Sequence, residues 1–161
     1  MILTGFQLRA SRKALNLYLE QLSQNTGVSK VTLMRLEKNT ANLALINCTT
    51  KNAQILYNYF TQNNLLFIDQ HTITLNTIIE PKPIENNLTR FQLIVARCAL
   101  GLTQASLSKC ISIKKSVITE YESKINNTYL TSRYSYVDSI LQYFHDQGLI
   151  FSNNLSVKTT N

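Results

Sequence analysis

The sequence is poor in the residues that break, staple or punctuate a chain. Only 2 prolines and 4 glycines occur in 161 residues, tryptophan is absent, and there are 3 cysteines. Cys48, Cys98 and Cys110 are odd in number and share no CxxC or similar ligand spacing, which argues against a disulfide framework and a zinc site. They are expected to be buried, inert thiols. Charged residues make up only 16% against 44% hydrophobic, which excludes a charge-rich disordered tail and supplies material for a core. No run reaches the roughly 18 apolar residues of a membrane span. Residues 1–6 lack the charged and apolar regions of a secretion signal, so a cytoplasmic protein with no membrane partner is expected. His71 and His145 have no Cys, Asp or Glu at ligand spacing, and His145 beside Asp146 is no triad without a placed nucleophile. There is no glycine-rich phosphate loop. An enzyme, a metal and a cofactor are therefore not expected, nor is a small-molecule ligand, since no added sensing domain is visible.

What is present is positive charge and a repeat. Sixteen Lys and Arg against nine Asp and Glu leave a formal charge of +7, which draws a protein toward polyanions. The surplus divides almost evenly, about +3 before residue 81 and about +4 after it by direct count. Sliding the chain by about 85 positions places Leu3, Thr4, Phe6, Gln7 and Leu8 over Leu88, Thr89, Phe91, Gln92 and Leu93. Arg12, Ala14, Leu15 and Leu17 then fall over Arg97, Ala99, Leu100 and Leu102, and Glu37 over Glu122. Roughly 13 identities in about 36 gapless positions make one module copied twice. After one deletion, Tyr59, Phe60, Leu65 and Phe67 match Tyr143, Phe144, Leu149 and Phe151.

Both prolines lie between the copies, in a segment that reads as a stiff, extended linker. The domains are therefore drawn as 1–78 and 88–161, with the linker at 79–87. Within each copy the apolar spacing is helical: Leu93, Ala96 and Leu100 fall at i, i+3 and i+7, as do Ala53, Leu56 and Phe60, and Val137, Ile140 and Phe144. Asn64 and Gly148 are the expected left-handed stops of the last helices. Beyond them, runs at 65–68 with 72–75, and 149–151 with 155–157, predict a small β-hairpin ending each copy. The aromatic residues at the repeated positions read as core packing, not as a base-stacking platform.

Residues 18–38 read as helix, turn, helix. Leu22, Val28, Leu33 and Leu36 supply apolar contacts that lock two short helices, Gly27 permits the turn, and Ser29 caps the second helix. That helix offers Lys30, Thr32, Arg35 and Lys38 beside Val31 and Met34. The mixture suits the major groove, where Lys and Arg donate to guanine edges and apolar atoms pack on a thymine methyl. These residues resemble the lambda-repressor-like, Cro-type (XRE) helix-turn-helix proteins of bacteria and phages, nearly position by position across 27–38. Residues 99–104 resemble the same family's approach to its second helix. The resemblance implies a mainly α protein with two tandem DNA-binding domains of about five helices each. It implies that Lys30, Val31, Thr32 and Arg35 reach bases or phosphates, with Ser29 and Lys38 on the backbone. It also implies two structural pairs, Arg12 with Glu37 and Arg97 with Glu122.

The copies depart from the family in informative ways. Its phosphate-positioning Gln is present as Gln104 but replaced by Leu19 in the first copy. The second copy has Ser112 at the turn glycine, Lys114 at the cap and Glu120 in place of Arg35. Lys114, Lys115, Ser116 and Thr119 remain as DNA contacts, and the Glu120 carboxylate can accept from a cytosine amino group. Two readings stay open. One is a transcription regulator on double-stranded DNA, acting as an intrachain pseudo-dimer or a homodimer. The other is a regulator of antitoxin or anti-activator type, whose second copy serves dimerisation or another regulatory protein.

Overall fold

Each copy opens on a reciprocal cap that its sequence dictates. The computed structural model describes residues 3–38, 45–77, 87–130, 134–153 and 155–160. Helix α1 (Gly5–Ala14) starts at Thr4, whose hydroxyl accepts from the Gln7 N–H at 3.1 Å while Gln7 Oε1 accepts from the Thr4 N–H at 3.0 Å. Thr89 and Gln92 repeat this at the start of α5 (Arg90–Ala99), at 3.3 and 3.0 Å. Such a cap satisfies helix N–H groups that have no partner within the helix and is worth about 1 kcal/mol. The same glutamines also tie each first helix to its hairpin. Gln7 Nε2 donates to the Thr72 carbonyl at 3.2 Å and Gln92 Nε2 to the Ser156 carbonyl at 3.4 Å.

The remaining elements come in matching order. The first copy continues with α2 (Leu19–Thr26), α3 (Lys30–Lys38), α4 (Thr50–Gln62), β1 (Leu65–Leu66) and β2 (Thr72–Leu75). The second continues with α6 (Gln104–Cys110), α7 (Lys115–Glu122), α8 (Tyr134–Asp146), β3 (Leu149–Asn153) and β4 (Ser156–Thr159). The chain is mainly helical with one small antiparallel sheet. Among the described residues each copy has four helices, not the five that the resemblance implies, because the chain turns directly from α4 and α8 into a hairpin. Its apolar residues, such as Leu65, Ile73, Leu149 and Val157, are buried in the core. The expected hairpins are present, although β1 stops at Leu66 and β4 runs on to Thr159. Ala53, Leu56, Phe60, Val137, Ile140 and Phe144 are buried along α4 and α8, as their spacing predicts.

The repeat extends to the backbone. Left-handed residues occur at Asn16 and Gly101, Gly27 and Ser112, and Asn64 and Gly148, three pairs of equivalent positions. Ser112, at φ 54°, holds the turn that Gly27 holds at φ 70°. A β-carbon in this region costs roughly 1–2 kcal/mol, of which glycine's greater unfolded freedom gives back about 0.5–1. Ser112→Gly is therefore expected to stabilise the protein by up to about 1 kcal/mol, seen as a higher urea midpoint at unchanged slope. A lower midpoint would show that the serine hydroxyl contributes more than its backbone costs.

The two copies are joined along a local twofold relation. Strand β2 pairs antiparallel with β4, giving one sheet of order β1-β2-β4-β3, and Ile73 lies opposite Val157, its own counterpart in the repeat. The start of α5 lies against the end of α1: Arg90 donates to the Ala14 carbonyl at 2.8 Å. The buried apolar residues form one continuous cluster through both copies. The boundary between 1–78 and 88–161 is thus a repeat boundary inside a joined core. Most of the expected linker, 79–86, lies outside the described residues.

The cysteine expectation needs correction. Only Cys98 is fully buried; Cys48 is half-buried and Cys110 exposed. Helix α6 is short and buries Leu107 alone, so its last residue stays at the surface. Burial pushes the Cys98 and Cys48 thiols up, with Arg35 opposing at Cys48. A hydrogen bond with Cys110, and burial second, push the Tyr143 phenol up to about 12.

Candidate nucleic-acid interface

The turn between α2 and α3 is set by Gly27 and closed by apolar anchors. Leu22, Val28, Leu33 and Leu36 are all buried. Ser29 Oγ accepts from the Thr32 N–H at 3.2 Å and lies 2.9 Å from Thr32 Oγ1, so Ser29 is the helix cap and Thr32 is half engaged in it. With Leu33 and Leu36 held inside, Lys30, Val31, Met34, Arg35 and Lys38 face outward. Val31 is 77% and Met34 45% exposed, large apolar surfaces on a helix that carries three exposed cations. Lys30 Nζ lies 2.6 Å from Glu20 Oε2 in an exposed pair; such a pair is worth at most about 1 kcal/mol and yields readily to a competing anion.

The second copy presents a different surface. Lys114 occupies the cap of α7 without a side-chain cap bond, and Lys115, Ser116, Thr119 and Glu120 are exposed. Gln104 is bonded within the chain at both ends of its amide. Its Nε2 donates to Glu122 Oε2 at 2.9 Å and its Oε1 accepts from the Thr119 hydroxyl at 3.2 Å. Both ends of the amide are held because Glu122, at the close of α7, draws the donor inward.

Both outward helices hang on the same buried fork. Arg12 bonds Glu37 through Nε and Nη2, each at 2.6 Å, and Arg97 bonds Glu122 at 2.5 and 2.8 Å. Each arginine also donates to a backbone carbonyl in the turn after its own helix, Leu17 or Leu102, at 2.8 Å. These are the two pairs that the resemblance implies. They fix the roll of α3 against α1 and of α7 against α5, and so decide which side chains face outward.

Three basic residues carry no signal within their own helices. Arg90, 1% exposed, donates to the Glu122 and Ala14 carbonyls at 2.8 Å and makes short bonds to Asn16 Oδ1 and Asn126 Oδ1. Two helix C-termini, of α1 and α7, thus converge on one guanidinium, where their partial negative charge favours a cation. Burial pulls its pKa down and Glu122 opposes the shift. Arg9 and Lys13 of α1 line a groove of about 580 Å³ between the copies, facing Gln104, Lys115 and Thr119 across it. The signal lay in the repeat: the counterparts of Arg9, Lys13 and Arg90 are Ile94, Cys98 and Gly5, breaks in charge within otherwise matching helices.

Among the described residues no group of three His, Cys, Asp or Glu side chains is assembled as a metal site, and no helix is long and apolar enough to cross a membrane. Against this geometry, no protein-family model, no curated protein and no solved structure matches the chain.

Proposed function

We propose that the chain is a sequence-specific regulator of transcription on double-stranded DNA, its two helix-turn-helix copies acting as a pseudo-dimer within one chain. The observation that carries this reading is α3: a capped helix anchored by buried Leu33 and Leu36 that exposes Lys30, Val31, Met34, Arg35 and Lys38 together. Cations beside compact apolar side chains match the donors and methyl contacts of a major-groove edge. The local twofold relation supplies the second half. Helix-turn-helix dimers read half-sites about one turn apart, roughly 34 Å, and the shared sheet replaces the second subunit. Arg35 and Glu120 occupy equivalent positions, so the two half-sites differ in sequence.

A second reading assigns DNA contact to the first copy and a protein partner or homodimer contact to the second. Glu120 and the internally bonded Gln104 favour it. Selection from a random duplex pool, with affinity then measured against salt, separates the two. Under the first reading Arg35→Ala loses about 1 to 3 kcal/mol and relaxes one base position, while Glu120→Ala changes preference at a second position. If Glu120→Ala changes nothing and residues of α3 carry all the specificity, the second reading stands. If no motif enriches and binding merely fades with salt, both fail.

A further inference from the structure

The two copies hold the first cation of their outward helix differently. Lys30 opens α3 and meets Glu20 from the first turn of α2, its Nζ 2.6 Å from the carboxylate, the two side chains 52% and 59% exposed. Lys115, which opens α7, is the counterpart of Lys30, and Ala105 is the counterpart of Glu20. Ala105 is exposed as Glu20 is, but a methyl group accepts no hydrogen bond, so this position gives Lys115 no tether. An ammonium has three N–H donors. With one given to Glu20, the others remain for the O6 and N7 acceptors of a guanine edge, and the charged head is held at the start of α3. A phosphate of arbitrary sequence offers charge alone and must compete with the Glu20 carboxylate for that head. An exposed pair is weak, so the competition lowers non-specific affinity by at most about fivefold.

We propose that Glu20 is a positioning residue that sets specificity in the first copy: it holds Lys30 for a base edge and against indiscriminate phosphate contact. The second copy, with Ala105 at that place, leaves Lys115 open to backbone phosphate of any sequence, the kind of contact that positions a protein on a duplex without reading it. The inference rests on the DNA-binding reading and divides the labour within it, the first copy reading sequence and the second adding grip. Neither half of it depends on the balance of charge over the whole surface, only on one ion pair and its counterpart positions.

The test uses the full chain with a selected duplex and a random-sequence duplex, affinity being measured against salt for each. Glu20→Gln keeps the size of the side chain and removes its charge. It is expected to raise affinity for the random duplex by about fivefold, with log affinity against log salt steeper by about 0.9, one phosphate contact. Affinity for the selected duplex should rise less, so the ratio of the two falls. Ala105→Glu should do the reverse, weakening the random duplex about fivefold with a shallower slope. In a Lys30→Ala background, Glu20→Gln should change random-duplex affinity by less than about twofold. A merely structural role for Glu20 would move the urea midpoint and leave slope and ratio where they are. The proposal is overturned if Glu20→Gln leaves both unchanged, or if its gain persists in the Lys30→Ala background, which would make Glu20 a bare charge repelling DNA. A chain that selects a site and shows no Glu20 effect loses this inference alone; a chain that binds no duplex loses the regulatory reading with it.

Discussion

Arg90→Met is expected to cost about 3 kcal/mol or more of folding stability, read as a lower urea midpoint. The methionine fills most of the volume but leaves the Ala14 and Glu122 carbonyls, both now bonded to the guanidinium at 2.8 Å, buried without a donor. Each such orphan costs about 1–3 kcal/mol. Two helix C-termini would also lose the cation between them. The effect should reach binding, since Arg90 spans the junction of the copies, and α1 and α7 would no longer share a fixed partner. Specific duplex affinity should therefore fall more than non-specific affinity. A loss below about 1 kcal/mol, with specificity intact, would show that the shared sheet and the packing of α1 on α5 set the placement of the copies without Arg90.

Glu122→Ala is expected to cost about 3 to 5 kcal/mol, the usual range for a buried pair broken on one side. It would strand Arg97 at 7% exposure and release the Gln104 amide. Glu37→Ala should cost somewhat less, because Leu19 stands where Gln104 would be and no second donor is lost. The double change Arg97→Met with Glu122→Leu should restore much of the stability, since a buried pair replaced by matched apolar groups is often nearly neutral. A double variant as unstable as Glu122→Ala would mean that the geometry of the fork, not relief of a stranded charge, is what the fold requires. Chemical denaturation of the four proteins decides this.

The repeat made much of this architecture legible. Periodicity fixed α4, α5 and α8, and the residue types at Asn64 and Gly148 announced the left-handed stops before each hairpin. The Arg12–Glu37 and Arg97–Glu122 pairs were implied by resemblance, and both are formed. What stayed hidden was how two such units meet. A strand edge such as β2 is visible in a sequence as open to a hairpin of the same chain or of a second one, but which of the two it joins is not, because pairing depends on backbone groups that every residue carries. Arg90 was hidden for a related reason: an arginine in a first helical turn normally solvates the surface, and only the arrival of Ala14 and Asn16 from the other copy makes it a buried junction. The setting of Gln104 was hidden too, because the sequence reading took it from one helix, whereas its partners, Thr119 and Glu122, come from the next.

If one chain does the work of a dimer, as we propose, a single chain should occupy one selected duplex site, counted by sedimentation or native mass spectrometry together with the footprint on that site. The expected result is one chain on a non-palindromic site whose two halves lie about one helical turn apart. Two chains on a perfect palindrome would overturn the pseudo-dimer.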